Sequence, residues 1–250
     1  MKYRKIIIFF LIIILLGILS VYYDRITGNF VSDVNNKYEK ELAFVIRIID
    51  GDTISVNLNN SVETIRFLGI NTPEKGKPYY SEAKDYLKEI ENKSIEVLRD
   101  FEDVDKYDRK LRYVFYENRL VNAEILEQGL ATSFMIKGLN YENKLKTAED
   151  FAKNNEKGLW DRSSDRCSEC IKLAELNSEE EFFIIENNCD FNCDLEGWEV
   201  KDDANHFFKL NDLNAGSEER YDSKTSIWNN DGDRFFMRDN EGKLVVFYEY

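Results

Sequence analysis

The chain has 250 residues, 43% apolar and 33% charged, which is enough apolar material for packed cores and excludes a wholly disordered protein. Its formal net charge of −14 argues at first sight against a nucleic-acid partner, because phosphate binding normally needs an excess of Lys and Arg. The acidity is uneven, however: residues 161–250 carry 10 basic and 23 acidic groups, whereas residues 41–160 carry 18 and 22. A phosphate-binding function therefore belongs in the middle segment, and the single histidine, His206, excludes any site built on two histidines.

The first feature along the chain is an uninterrupted apolar run at residues 6–23, which follows three basic side chains within residues 1–5. As a helix this run would span about 27 Å, close to the ~30 Å hydrocarbon core of a bilayer. The preceding basic residues predict a cytoplasmic N-terminus and an external body. An uncleaved signal anchor is favoured over a cleaved signal peptide, which would leave the protein secreted. The polar residues 24–40 are expected to form a stalk between the membrane and the next domain.

The segment 41–160 begins with alternating and β-branched residues and continues with apolar residues at helical spacing. The predicted strands are 43–49, 53–58, 62–68, 94–98 and 111–116, and the predicted helices are 81–90, 122–128 and 141–154. Because antiparallel strands come first and helices are inserted afterwards, the pattern indicates a small β-barrel flanked by helices rather than a βαβ sheet.

The acidic part, 170–250, follows a polar linker at residues 161–169. Short strand patterns recur there with turn residues between them and no helical period, which predicts a small antiparallel β-sandwich. We expect Trp198 and Trp228 in its core, and His206 as a half-buried residue that hydrogen-bonds a turn.

All four cysteines lie near the start of this acidic part, as a CxxC pair followed by a CxxxC pair. Such spacing is compatible with a zinc site and with disulfides. Outside the membrane, oxidised pairs are favoured because nothing keeps the thiols reduced. The expected pairs are Cys170–Cys189 and Cys167–Cys193, because Cys170 opens the first predicted strand of this part and Cys189 follows the second.

Three short clusters in the middle segment are candidates for chemistry: Asp50-Gly51-Asp52-Thr53, the stretch from Arg66 to Glu74, and Asp105-Lys106-Tyr107-Asp108-Arg109. Each has an ordinary explanation on its own, as a hairpin turn, a loop with a surface arginine, and a solvated charged loop. Their common order along one chain makes the ordinary explanations weaker.

Together these motifs resemble the staphylococcal nuclease (thermonuclease) family, with DGDT, R-x-x-G-[IV]-[DN]-T-P-E, DKY-x-R and a closing KGLW at residues 157–160. The resemblance covers about residues 42–160 and implies an OB-type five-stranded β-barrel with three helices. Residues 170–250 resemble a lamin-tail domain, an immunoglobulin-like β-sandwich, which implies a binding or targeting role for a ligand that the sequence does not reveal.

The nuclease resemblance implies roles for five side chains. Glu74 would be the base that orients or activates the attacking water, and Arg66 and Arg109 would clamp the transition state at phosphorus. Arginine suits this role because its planar fork binds two phosphate oxygens and stays charged. Lys106 and Tyr107 would bind substrate, by holding a terminal phosphate and stacking on a base.

The same resemblance implies a Ca²⁺ cofactor with oxygen ligands from Asp52, the Asn71 side chain and the Thr72 carbonyl. Well-known members of the family carry aspartate where this chain has Asn71, so we expect weaker Ca²⁺ binding. Asp108 stands where glycine is usual and brings a negative charge close to the phosphate clamp.

These features predict an exported, membrane-anchored nuclease that hydrolyses phosphodiester bonds of DNA and RNA in a Ca²⁺-dependent reaction. The family analogy suggests products with 3′-phosphate ends. The alternative is a catalytically inert surface binding or scaffolding protein, in which the sandwich is the working part. Metal-dependent cleavage distinguishes the two.

Overall fold

The computed structural model describes residues 38–250. The predicted membrane segment at 6–23, the preceding residues 1–5 and most of the stalk at 24–40 lie outside these described residues. Within residues 38–250, no helix is both long enough and apolar enough to cross a bilayer.

The N-terminal half of the described chain is built around a closed β-barrel. Its strands are β1 (Glu41–Ile48), β2 (Thr53–Leu58), β3 (Ser61–Phe67), β4 (Ile70–Asn71), β5 (Ser94–Leu98), β6 (Lys110–Tyr116), β7 (Arg119–Leu120) and β8 (Thr132–Ser133). Five of them form the barrel in the order β3-β2-β1-β5-β6, and a parallel pairing of β3 with β6 closes it. Residues such as Ile54, Val56 and Ile65 are fully buried, as expected for β-branched side chains at alternate strand positions.

Three α-helices accompany the barrel, as expected for an OB-type fold: α1 (Tyr80–Tyr86), α2 (Val121–Glu127) and α3 (Glu142–Asn154). The buried apolar residues of α3 are Leu145, Ala148 and Ala152, which lie on one helical face. Next to them, β4 pairs with β8, so that Asn71 lies opposite Thr132. This small ladder fixes the backbone of β4 beside α3 and the barrel.

The C-terminal half forms two antiparallel sheets. Its strands are β9 (Ile171–Asn177), β10 (Phe182–Asn187), β11 (Glu199–Lys201), β12 (Phe207–Lys209), β13 (Glu218–Asp222), β14 (Arg234–Arg238) and β15 (Leu244–Glu249). The sheet orders are β13-β10-β9 and β12-β11-β14-β15. Phe183 from the first sheet and Met237 from the second share one core with Trp198 and Trp228, so the predicted sandwich and its two core tryptophans are present.

Strand β13 of the sandwich is a five-residue element that the sequence pattern does not predict. Its residues, EERYD, are mostly charged, and only alternate side chains are partly buried. The strand forms because it pairs along its length with β10 at the edge of the sheet. Backbone pairing with a neighbour distant in sequence outweighs its weak local preference.

Two disulfides, Cys167–Cys193 and Cys170–Cys189, join the start of the sandwich to the segment after β10. This is the expected pairing. The segment 161–169, predicted as a linker, lies against the sandwich: the Leu244 N–H donates to the Asp161 carbonyl at 2.7 Å, and residues Arg166–Glu169 form a 3-10 helix.

The barrel and the sandwich share an apolar junction, and residues Lys40–Tyr250 form one compact unit. Trp160, the last residue of the KGLW motif, packs edge-on against Phe247 with ring centroids 5.2 Å apart, and it also contacts Phe236. Ala152 of α3 and Leu244 of β15 belong to the same buried cluster. The motif that ends the nuclease-like segment therefore also anchors the sandwich.

A buried polar network crosses the same junction. Arg234 of β14 donates from Nη1 to both oxygens of Glu149 at 2.9 and 3.0 Å, and from Nη2 to the Ser133 carbonyl. Its Nε donates to the Asp203 carboxylate at 2.7 Å. Burial acts to raise the pKa of Glu149, but the charges of Arg234 and Lys153 outweigh it and leave that pKa below its usual value. One arginine of the sandwich thus links α3 and β8 of the barrel half to the Asp203 turn.

Candidate active site

Asp52 lies at the centre of the site, in the turn between β1 and β2. Its side chain is buried, and Oδ2 accepts hydrogen bonds at 3.0 Å from both the N–H and the hydroxyl of Thr72. The same oxygen lies 3.2 Å from Nη2 of Arg66. The DGDT turn and the R-x-x-G-I-N-T-P-E segment are therefore joined through a single carboxylate.

A second carboxylate, Asp50, lies in the same turn and accepts from the Asp52 N–H at 3.2 Å. Burial raises the pKa of Asp50, and the negative charge of Asp52 raises it further. The carboxylate oxygens of Asp50 and Asp52 and the amide oxygen of Asn71 are hard donors of the type that Ca²⁺ prefers, and Nη2 of Arg66 lies 3.2 Å from the Asp52 carboxylate and 3.4 Å from the Asn71 oxygen. A cation there would relieve the repulsion between the two acids. The expected ligands Asp52, Asn71 and Thr72 fit this chemistry.

Arg66 is held in place by long-range contacts of the folded barrel. It lies on β3 opposite Thr53 of β2, and its side chain is only 12% exposed. Nη1 donates to the Phe67 carbonyl at 2.6 Å, and Nη2 lies 3.4 Å from Oδ1 of Asn71. The guanidinium is thus oriented before any substrate binds, which is the condition for electrostatic stabilisation of a transition state.

Arg109 is held by its own loop. Asp105 Oδ2 accepts from Nε of Arg109 at 2.7 Å and lies 2.6 Å from its Nη2, while Oδ1 accepts from the N–H groups of Tyr107 and Arg109. Burial acts to raise the pKa of Asp105, but these hydrogen bonds outweigh it and lower that pKa below its usual value. Asp105 is a functional partner that the motif DKY-x-R contained but to which sequence reasoning assigned no role.

The substrate-binding candidates lie on the outside of this loop. The Tyr107 side chain is 67% exposed, with Lys106 Nζ 5.0 Å and the Arg109 guanidinium 5.3 Å from its ring centroid. Asp108 has a φ of 61°, in the left-handed region that glycine adopts most easily and that Asp tolerates. The left-handed backbone conformation therefore explains why family members usually carry glycine at the position of Asp108.

A cleft of about 1090 Å³ collects the predicted residues. Its lining includes Arg66, Asn71, Glu74, Lys106, Tyr107 and Arg109, and Glu74 is exposed to solvent. Asp52 and Thr72 are buried next to Arg66 and Asn71. Motifs separated by tens of residues in sequence are thus brought to one place.

One wall of the cleft comes from the sandwich. The turn between β11 and β12, residues 202–206, places Ala204, Asn205 and His206 in the lining. Nδ2 of Asn71 donates to the Asp203 carbonyl at 3.1 Å, and Nδ2 of Asn205 lies 3.5 Å from Oε1 of Glu74. Sequence reasoning missed these residues, and no local signal could have found them, because the contacting pairs are more than 130 residues apart.

His206 bonds to its own turn, as expected. Its N–H donates to Oδ1 of Asp202 at 2.7 Å, and its Nδ1 lies 2.6 Å from Oδ2 of the same carboxylate. The side chain is 54% exposed at the edge of the cleft, in agreement with the prediction that it is half-buried. The buried member of the pair is Asp202, which no solvent reaches.

Comparison with known proteins agrees with this geometry. Residues 64–162 match the staphylococcal nuclease homologue family. The thermonuclease of Staphylococcus hyicus is 30% identical over 151 residues, which cover 57% of this chain and 89% of that protein. The chain belongs to the staphylococcal nuclease family. This nuclease is also 33% identical over 142 residues to endonuclease YncB of Bacillus subtilis, covering 52% of the chain and 67% of that protein.

A third relative, the SPbeta prophage-derived endonuclease YokF of Bacillus subtilis, is 35% identical over 137 residues, which cover 50% of this nuclease and 46% of that protein. The family match ends at residue 162, directly after Trp160 and before the sandwich. Family membership identifies the protein as a nuclease, a hydrolase of phosphodiester bonds.

Proposed function

We propose that this nuclease hydrolyses both DNA and RNA with Ca²⁺ as its cofactor, and that Glu74, Arg66 and Arg109 perform the reaction. The observation that supports the proposal is the common cleft: the exposed carboxylate of Glu74 and the two oriented guanidiniums of Arg66 and Arg109 line it, beside the buried carboxylate of Asp52. A nucleic-acid substrate agrees with the names of the nuclease relatives.

In the proposed reaction, Glu74 accepts a proton from water, and the water oxygen attacks phosphorus. The bond from phosphorus to the 5′ oxygen breaks, the 5′ oxygen takes up a proton from solvent while Glu74 returns its proton to solvent, and a 3′-phosphate and a 5′-hydroxyl are left. Arg66 and Arg109 stabilise the negative charge that grows on the phosphoryl oxygens. Lys106 and Tyr107 hold the neighbouring phosphate and base.

Asp52, Asn71 and the Thr72 carbonyl are proposed to bind Ca²⁺, in a family that uses a metal cofactor. When bound, the cation supplies charge neutralisation to the phosphate. Asp52 is already oriented for this role by its hydrogen bonds from Thr72.

The proposal is tested with plasmid DNA and single-stranded RNA, in Ca²⁺ and then in chelator. We expect cleavage of both substrates only with the metal. Glu74→Ala should lower kcat at least about 100-fold, the scale of general base catalysis, while folding is unchanged because Glu74 is exposed. Glu82→Ala, which removes an exposed carboxylate outside the cleft, is the matched control.

An absence of cleavage by the wild-type protein at every Ca²⁺ concentration would favour the inert scaffold instead. Wild-type turnover by Glu74→Ala would remove that side chain from the mechanism.

We also propose that residues 6–23 anchor the nuclease in the cell membrane with its catalytic part outside, and that the sandwich is a lamin-tail domain for a further ligand. The apolar run after basic residues supports the first idea. The three- and four-stranded antiparallel sheets around two buried tryptophans support the second. Membrane fractionation with protease added to intact cells tests the anchor, and release of the protein into the medium would instead indicate cleavage.

A further inference from the structure

A chain of three polar side chains runs from the junction between barrel and sandwich to the cleft. Lys201, the last residue of β11, donates from Nζ to Oδ1 of Asn205 at 2.9 Å and to the Asp202 carbonyl at 3.2 Å. Nδ2 of Asn205 then lies 3.5 Å from Oε1 of Glu74. The contact to Glu74 is long, as hydrogen bonds in substrate-free active sites often are before they tighten on binding.

The amide of Asn205 has only one orientation that satisfies both neighbours. A carboxylate only accepts hydrogen bonds, so the NH₂ group must face Glu74, and the carbonyl oxygen then faces the Lys201 amine. The backbone of Asn205 has a φ of 66°, a left-handed conformation in which Asn and Asp are enriched. Both the side chain and the backbone of this position therefore favour asparagine.

The turn that carries Asn205 is fixed on both sides. The Asp203 carboxylate binds Arg234, whose side chain is 7% exposed, and the Asp203 carbonyl accepts from Asn71. Asp202 is fully buried and accepts from the His206 N–H. A turn held in this way fixes the place of Asn205 beside Glu74. A residue that positions a catalytic group must itself be fixed in this way.

We propose that Asn205, held by Lys201, is a positioning residue for Glu74, so that the sandwich completes the nuclease site. This inference rests on the proposed role of Glu74 as the base. It assigns to the sandwich a part in the reaction in addition to any ligand that it binds.

Two substitutions of Asn205 distinguish a role in positioning Glu74 from a role in stabilising its own turn only. Asn205→Asp keeps the oxygen that faces Lys201 and tolerates the positive φ, but it places a carboxylate oxygen where the N–H faced Glu74. Asn205→Gly keeps the backbone conformation and removes the side chain. We expect both variants to lose about 10- to 100-fold in kcat at saturating substrate, because a base misplaced by about 1 Å costs rate on that scale. The thermal midpoint of Asn205→Asp should not fall below that of wild type.

Asn230→Asp makes the same charge change at an exposed position of the sandwich outside the cleft, and it serves as the control for nucleic-acid repulsion. Wild-type kcat in Asn205→Asp would overturn the positioning role, since the N–H would then be dispensable. Wild-type kcat in Asn205→Gly with a slow Asn205→Asp would also overturn it, since added charge alone would explain the loss.

A readout independent of activity is the urea midpoint in a double-mutant cycle of Asn205→Asp with Glu74→Gln. We expect Glu74→Gln to raise the midpoint more in the Asn205→Asp background than in wild type, and equal shifts would show that the two side chains do not interact. If wild-type protein cleaves but the Asn205 variants are unaffected, only this inference fails. If wild-type protein does not cleave, the proposed function fails with it.

Discussion

The two walls of the cleft use different chemistry. The barrel wall presents charged groups, among them Arg66, Arg109 and Glu74, whereas the sandwich wall presents Ala204, the neutral amide of Asn205 and the ring of His206. This is notable because residues 161–250 carry a net charge of −13, which would repel a phosphate chain.

Both acidic side chains of the turn between β11 and β12 are paired. The Asp203 carboxylate binds Arg234, and the Asp202 carboxylate binds the backbone and ring of His206. An acidic module can therefore adjoin a nucleic-acid site when its nearest carboxylates are hydrogen-bonded within their own turn or to a buried arginine. The net charge is a property of the whole sandwich, whereas the electrostatic environment of a substrate in the cleft depends on the groups that line it.

The largest expected effect comes from breaking the junction that holds the sandwich wall. Arg234→Met removes the closest cation from the buried Glu149, which then has Lys153 at 3.4 Å, and should lower the free energy of unfolding by about 3–5 kcal/mol. Urea denaturation measures this. Arg220→Met, which removes an exposed arginine of the same sandwich, should cost much less stability. Equal losses in the two variants would contradict the role given to the buried network.

Asn71 touches both walls, and its replacement tests whether they are coupled. In Asn71→Asp, a carboxylate oxygen faces the Asp203 carbonyl in place of the donated N–H, and the apo protein should lose about 1–2 kcal/mol of stability. The added negative charge should at the same time tighten Ca²⁺ binding, so the gain in thermal midpoint on adding Ca²⁺ should exceed that of wild type. Asn57→Asp, an exposed change on β2, is the control. An unchanged calcium response would remove Asn71 from the ligand set.

The sandwich side of the junction should show a pH dependence through Lys201. Burial, and after it the nearby charge of Arg238, lowers the pKa of Lys201 to about 7. Between about pH 7 and the unperturbed lysine pKa of about 10.4, the unfolded chain therefore binds more protons than the folded one, and stability from this group rises with pH. The slope is at most about 1.4 kcal/mol per pH unit. Lys201→Met should remove this rise of stability with pH. Urea denaturation of both proteins at pH 7 and pH 9 measures the rise, and an equal rise in the variant and in wild type would contradict the role of Lys201.

The smallest expected effect lies on the barrel wall. Asp108→Gly relieves a left-handed backbone and removes a negative charge beside Arg109, so it should stabilise the protein by about 0.5 kcal/mol and raise the cleavage rate slightly. Asp190→Gly, at an exposed residue outside the left-handed region, should be destabilising. If both substitutions stabilised the protein, the left-handed backbone at residue 108 would not be the cause of the stabilisation by Asp108→Gly.

Elements with strong local patterns could be predicted from the sequence alone. β-branched alternation predicted the barrel strands and helical spacing predicted the helices, and the structure contains the expected disulfide pairing, which the cysteine spacing had left open against a zinc site. The motifs around Arg66, Glu74 and Arg109 also predicted residues of the barrel wall of the cleft, because each motif is a short stretch whose residue types indicate a chemical role.

The sandwich wall of the cleft, by contrast, could be recognised only from long-range contacts in the folded protein. The contacts of Asn71 with the Asp203 carbonyl and of Asn205 with Glu74 join residues more than 130 positions apart, and the residues from the sandwich have neither a motif nor a local conformational signal for such a role. Strand β13 was missed for the same reason, since its charged residues form a strand only against β10. Local preferences act over a few neighbouring residues, whereas these features depend on which distant surfaces are buried together when the chain folds.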